Sequence, residues 1–177
     1  MYLLHSGFIR SNLFILLTAF TLLVPLFGTS DVDASSYTVR IRSIQAGGCL
    51  EVRGASTANG ANIGTWNCLN QNNQRWRITD TGRRWHGHPV VEIRNVHSGK
   101  CLDMRSWSGA NGDNIHQWTC HGQNSQRWIL QRVGVEYTRI RSVLHRHQCA
   151  DLQRWTLRDN VHTWGCHGAN SQLWWIG

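Results

Sequence analysis

One phrase constrains this chain more than any other feature. It reads CLNQNNQRW at 68–76, CHGQNSQRW at 120–128 and CHGANSQLW at 166–174. Aligned on that phrase, the similarity runs backwards through three repeats, 37–78, 88–130 and 136–176. Cys49/Cys101, Trp66/Trp118 and Trp76/Trp128 share an offset of 52, whereas the offset from the second copy to the third is 48 at Cys101/Cys149 and 46 at Trp128/Trp174. The third copy has therefore lost two residues, where the GANG turn of the second copy is missing. A chain built this way needs a fold in which three copies are equivalent.

Each copy reads as four short strands. VRIRSI alternates apolar and charged residues, the period of a half-buried strand. CLEV and CLDM make second strands, NIGTW, NIHQW and NVHTW third strands, and QRWRI, QRWIL and QLWWI fourth strands. Gly/Ala/Asn/Ser turns separate the second and third strands in copies one and two. No stretch carries an apolar stripe at helical spacing. About twelve strands in three units are too few blades for a propeller, and no capping repeats mark a solenoid. Closure with threefold pseudo-symmetry removes open sheet edges. The expectation is an all-β protein, a β-trefoil of three pseudo-symmetric four-stranded repeats.

All six cysteines lie in the repeats, two per copy. Pairing inside each copy treats the three alike: Cys49–Cys68, Cys101–Cys120 and Cys149–Cys166. No C-x-x-C pair suggests zinc, and His145 and His147, without a neighbouring carboxylate or cysteine, are weak metal ligands. No metal and no cofactor is expected. Disulfides imply an oxidising compartment, and residues 1–34 agree. Arg10 precedes the apolar run Leu13–Phe27, which leads into GTSDVDASS. This is the layout of a secretory signal peptide, with Val32 and Ala34 placed for cleavage before Ser35, or else a cut after Ser30. The apolar run is too short for a membrane anchor and Pro25 interrupts it. The expectation is a secreted, extracellular domain at 35–177 with no transmembrane anchor.

The net charge is +8, and every basic residue except Lys100 is arginine. These arginines are dispersed in strand-like runs, the pattern of a solvated face. Ten Trp are many for 177 residues, which calls for packing or stacking roles.

Cys-Leu-Asp at the head of a repeat, a Trp before the second Cys and Gln-x-Trp at its end resemble the ricin B-chain-type lectin domain, a group overlapping the family 13 carbohydrate-binding modules. The resemblance spans all three repeats. It implies a β-trefoil with Trp76, Trp128 and Trp174 in the shared core and a sugar site in each lobe. That site uses an Asp after the first Cys, a Gln two residues before a platform aromatic, the aromatic itself, and the Asn-Gln before the core Trp. The chemistry is sensible: the aromatic faces sugar C–H bonds, a carboxylate accepts from neighbouring hydroxyls, and amides complete the set.

The resemblance ranks the lobes. The second has Asp103, platform Trp118, His116 at the Gln position, and Gln126, with Ser125 replacing the Asn and Asn124 beside it. The third has Asp151, His162, Trp164, Ser171 and Gln172, with its loop reshaped by the deletion. The first departs most, with Glu51 for Asp and Gly64 at the Gln position, although Trp66, Asn73 and Gln74 remain. His121 and His167 follow the second Cys near the expected sites.

These residues imply carbohydrate binding, with galactose- or xylose-type sugars suggested by the resemblance. No enzyme is expected: Glu51, Asp103 and Asp151 are symmetry mates in separate lobes, not a pair flanking one glycosidic bond. A trefoil acting through protein contacts has no need of the Asp, Trp and Gln kept together in two lobes. The alternative is binding of a polyanion, a heparin-like glycan or nucleic acid, through Arg/Trp patches such as Arg83, Arg84 and Trp85 in the connector Thr79 to Gly87. Nucleic acid is not the expected partner.

Overall fold

A computed structural model describes residues 35–177, and the signal-peptide reading of residues 1–34 lies outside them. The first repeat contains β1 (Ser36–Val39), β2 (Ile41–Ser43), β3 (Cys49–Val52), β4 (Ile63–Trp66) and β5 (Trp76–Trp85). The second contains β6 (His88–Asn95), β7 (Cys101–Met104), β8 (Ile115–Trp118) and β9 (Arg127–Val133). The third contains β10 (Tyr137–Ser142), β11 (Gln148–Leu152), β12 (Val161–Gly165) and β13 (Trp174–Ile176).

There are thirteen strands rather than twelve because the first divides at Arg40. Pairing continues through the break. The Arg40 N–H donates to the Gly177 carbonyl at 2.9 Å, and its own carbonyl accepts from Gly177 at 3.2 Å. The divided strand thus joins β5 on one side and β13 on the other. The sheet runs β1–β5–β6–β9–β10–β13–β2, a closed barrel of six strands once β1 and β2 are counted as one. Closure leaves the barrel no free edge.

Three hairpins, β3–β4, β7–β8 and β11–β12, attach to this barrel. They meet at a ring of three asparagines. Asn62 donates its amide to Asn160 at 2.7 Å, Asn114 to Asn62 at 2.8 Å, and Asn160 to Asn114 at 3.1 Å. Within the ring each amide donates once and accepts once, so the ring closes only when all three copies contribute. The molecule is a β-trefoil.

Strand periodicity explains the core. Ile41 and Ser43 are buried while Arg42 is exposed, and Trp76 and Ile78 are buried while Arg77 is exposed. Trp76, Trp128 and Trp174 are fully buried. Their indole N–H groups donate to the carbonyls of Leu50 at 2.9 Å, Leu102 at 3.0 Å and Ala150 at 3.3 Å. A buried indole needs such a partner. The repeated Gln-x-Trp tryptophan therefore ties barrel to hairpin in every lobe. The three disulfides form inside the repeats, Cys49–Cys68, Cys101–Cys120 and Cys149–Cys166. Loops of this size contribute about 3 kcal/mol each in the chain-entropy view.

The connector Thr79 to Gly87 is not a free loop. β5 continues to Trp85 and pairs with β6 as far as Trp85↔His88. His86 and Gly87 both have positive φ, the backbone a two-residue type I′ turn needs. Arg84 ion-pairs with Asp80 at 2.9 Å, and the Arg141 guanidinium lies 4.9 Å from the Trp85 ring centre. The expected basic-aromatic tip is thus largely engaged within the protein.

Candidate functional site

In the second lobe, β7 and β8 place Asp103 directly opposite His116, with Cys101 opposite Trp118. The 3-10 turn Asn124–Gln126 then brings an amide beneath the carboxylate. Gln126 Nε2 donates to Asp103 Oδ2 at 3.0 Å and to the Thr119 carbonyl at 3.1 Å, while its Oε1 accepts from the His121 N–H at 2.8 Å. The residue is fully buried. Gln126 is a positioning residue that aims Asp103. Ser125 is buried too, and Asn124 is exposed at the start of the turn.

Asp103, Arg105, Trp107, His116, Trp118 and His121 line a cleft of about 480 Å³. His116 packs almost parallel to Trp118, ring centres 5.4 Å apart at 24°. It supports the platform, and the indole remains 40% exposed. The Asp103 carboxylate is nearly buried; its Oδ1 is closed off from solvent, and the buried Ser125 hydroxyl lies near the same carboxylate. Burial pushes its pKa up, but the neighbouring His116 imidazole and the Gln126 amide outweigh this and hold it below the ordinary value of 3.8. His121 Nε2 stands 3.4 Å from Oδ2.

The third lobe repeats this geometry. Asp151 opposes His162 across β11 and β12. Gln172 donates to Asp151 Oδ2 and to the Gly165 carbonyl, both at 3.0 Å, and accepts from the His167 N–H at 2.8 Å. Ser171 is buried above it. His162 stacks on Trp164 at 5.5 Å and 26°. Asp151 Oδ1, like Asp103 Oδ1, is closed off from solvent. His167 Nε2 reaches Asp151 Oδ2 at 3.1 Å, closer than its second-lobe counterpart. Burial lowers the His162 pKa below 6.5, and the nearby Asp151 and Asp159 oppose that shift.

The first lobe keeps the frame and a cleft of about 360 Å³ lined by Glu51, Trp66 and Asn73, but its platform is covered. Gln74 donates to Glu51 Oε2 at 3.0 Å and Asn73 donates to the Val52 carbonyl at 3.2 Å. Gly64 faces Glu51, but its side-chain space is taken. A Cβ there would lie 2.5 Å from Arg53 Nε and 2.6 Å from the Asp159 carbonyl. The Arg158 guanidinium sits 4.1 Å from the centre of the Trp66 ring. This platform is covered by a cation.

Comparison with known proteins decides the family. The model of the ricin-type beta-trefoil lectin domain-like family matches residues 26–86 and 83–160. The chain belongs to this family. It is similar to the designed threefold-symmetric protein ThreeFoil, with 27% identity and a TM-score of 0.73 over 78% of this chain and 96% of that one. The exo-beta-1,3-galactanase 1,3Gal43A from Clostridium thermocellum is 26% identical with a TM-score of 0.72, over 78% of this chain but only 29% of the galactanase chain. The Macrolepiota procera ricin B-like lectin, solved in complex with lactose, shares the fold at 21% identity and a TM-score of 0.64, over 79% of this chain and 94% of that one. The fold and family of this ricin-type trefoil support carbohydrate binding.

Each lobe of the trefoil also borrows from the repeat before it. The first repeat reaches the second lobe, where Gly60 N–H donates to the Gln117 carbonyl at 2.9 Å and Asn59 accepts from the Thr119 N–H at 2.9 Å. The second repeat reaches the third lobe, where Gly112 N–H donates to the Thr163 carbonyl at 2.8 Å and Asn111 accepts from the Gly165 N–H at 2.8 Å. The third repeat reaches the first lobe, where the Thr65 N–H donates to the Asp159 carbonyl at 2.9 Å. The deletion was expected to reshape the third lobe, and its shortened loop also reaches the first lobe. Two residues before the ring asparagine, where the other repeats have Gly60 and Gly112, the third has Arg158, which lies over Trp66, and Leu157 lies against Gly48.

Two tryptophans escaped the motif reading. Trp107 and Trp155 occupy equivalent positions, four residues after Asp103 and Asp151, and are 60% and 61% exposed. The first lobe has Ala55 there. Their register in the alignment was the available signal. His145 Nε2 lies 3.1 Å from the Trp107 carbonyl. Glu92, Cys101 and Cys120 cluster within metal-binding reach, but both sulfurs belong to one disulfide and supply no thiolate.

Proposed function

We propose that this protein is a secreted, non-enzymatic lectin that binds galactose- or xylose-type sugars of a glycan or polysaccharide, chiefly through the second-lobe cleft and next through the third. One observation carries the reading. Asp103 is held anionic and aimed by Gln126, in a cleft shared with an indole face open to solvent. Sugar hydroxyls donate to the Asp103 carboxylate while sugar C–H bonds cover Trp118. His116 and His121 flank the same carboxylate and are in place to meet a further hydroxyl. The lactose complex of the Macrolepiota procera lectin supports the sugar class. Secretion rests on the layout of residues 1–34 and on the three disulfides. Among the described residues no helix is long and apolar enough to cross a membrane.

A glycan array of wild type, Asp103→Ala and Asp151→Ala tests the assignment. Loss of signal is expected for Asp103→Ala and partial loss for Asp151→Ala. If neither substitution changes binding, the site assignment is wrong.

A second reading has its own observation. Of the eight acidic residues at 35–177, Glu51, Asp103, Asp151 and Asp159 are buried and Asp80 and Glu92 are ion-paired with arginines, leaving Asp113 and the exposed Glu136. The surface is left strongly basic, as a polyanion binder requires. Polyanion binding weakens steeply with salt, whereas neutral-sugar binding at Asp103 and Trp118 does not, so affinity across a salt series separates the two.

A further inference from the structure

We propose that Trp107 forms a second aromatic subsite beside the Trp118 platform, so that the second lobe takes two successive sugars of a chain rather than one terminal residue. The proposal rests on the lectin reading above and names the form of ligand that reading leaves open.

Three observations support it. Trp107 lines the same cleft as Asp103 and Trp118 while keeping 60% of its surface in water. An indole left so exposed finds its favourable use in stacking. Second, the loop that presents it is organised. The Ser108 N–H donates to Ser106 Oγ at 3.1 Å and Ser108 Oγ donates to Asp113 at 2.8 Å. The third repeat braces it from outside, with Gln148 Nε2 donating to the Gly109 carbonyl at 2.6 Å and His145 contacting the Trp107 carbonyl. A side chain on a braced loop loses little further freedom on binding. Third, the feature follows the lobes with open platforms. Trp155 stands at the equivalent position of the third lobe, whereas the covered first lobe has Ala55 and a smaller cleft, about 360 Å³ against about 480 Å³.

A pyranose seated on Trp118 and hydrogen-bonded to Asp103 leaves its neighbour in the chain to meet Trp107. Arg105, on the same wall, is placed to donate to that neighbour's hydroxyls. The site then discriminates by chain length as well as by sugar type.

Calorimetric titration of the full mature chain with galactose and lactose, and with xylose and xylotriose, tests this. The longer sugar of the preferred pair is expected to bind more tightly than its monosaccharide. Trp107→Ala should lower that affinity ratio roughly two- to tenfold, the range of one aromatic contact, and Trp107→Tyr should restore most of it. Trp118→Ala should weaken both ligands together. A ratio unmoved by Trp107→Ala, or a wild type that binds monosaccharide and longer sugar equally, overturns the second subsite and leaves the lectin reading standing. A wild type that binds none of these sugars nor any glycan on the array overturns both.

Discussion

The first and second lobes share strand register, disulfide, core tryptophan and the glutamine beneath a carboxylate, yet only the second presents an open aromatic face. The difference lies in what fills the space around a common frame. At the position opposite the carboxylate, the second lobe has His116, which stacks on Trp118 and props it open. The first has Gly64, and the vacated volume is taken by Arg53, whose guanidinium donates to the Arg158 carbonyl at 2.9 Å. Arg158 itself covers Trp66. A lobe of this trefoil can thus have its aromatic platform covered without losing any part of its fold.

The largest effects should fall where the lobes are alike. Trp76→Ala and Trp128→Ala each remove a fully buried indole and its hydrogen bond, and each should cost about 3–5 kcal/mol in urea unfolding. Strongly unequal values would mean the frame is less symmetric than its geometry. Next comes the carboxylate. Asp103→Asn should weaken sugar binding roughly ten- to hundredfold, since hydrogen bonds to a charged group are the stronger kind, while Glu51→Gln leaves the titration as it was. An equal loss in both variants would erase the distinction between the lobes.

Gly64→His completes the sequence pattern in the first lobe but meets the Asp159 backbone carbonyl. It should destabilise by about 1–3 kcal/mol without adding a binding event; a new binding event in calorimetry would show that the covering loop yields. Removing the cover instead, Arg158→Ala should cost only about 0.5–1 kcal/mol, the value of an exposed cation–π contact, and should raise quenching of Trp66 by acrylamide. The smallest effect separates the third lobe from the first. Burial depresses the His162 pKa below 6.5, so the unfolded chain takes up a proton before the folded one. The stability this neutral histidine allows is complete above 6.5 and declines as pH falls toward its folded value. Urea midpoints of wild type and His162→Gln on either side of that pH should differ in slope, and parallel slopes would remove His162 as the cause.

The frame was legible because it repeats. Three Gln-x-Trp phrases in register locate the core, and two cysteines per copy locate the bridges. The asparagines at 62, 114 and 160 were visible at the heads of the third strands, but nothing in a linear reading says that three amides distant in sequence close on one another. Gln126 and Gln172 were read as bordering a sugar; the tertiary structure spends all their amide atoms on a carboxylate, a carbonyl and an N–H. The connector at 79–87 drew notice only for its Arg83, Arg84 and Trp85, yet pairing with β6 carries it on as strand.

The sequence alone determined the fold class and the disulfide partners. Both follow from copying, through the strand period and two cysteines in each repeat, and the resemblance to the ricin B-type domain added the order Asp, His, Trp in two lobes. Which platform stays open was decided only in three dimensions. Each cleft is finished by a loop from the preceding repeat, so Arg158 of the third copy covers the platform of the first lobe across about a hundred residues of chain. Side chains fill whatever volume closure of the barrel leaves them, and that volume is a property of the assembled trefoil.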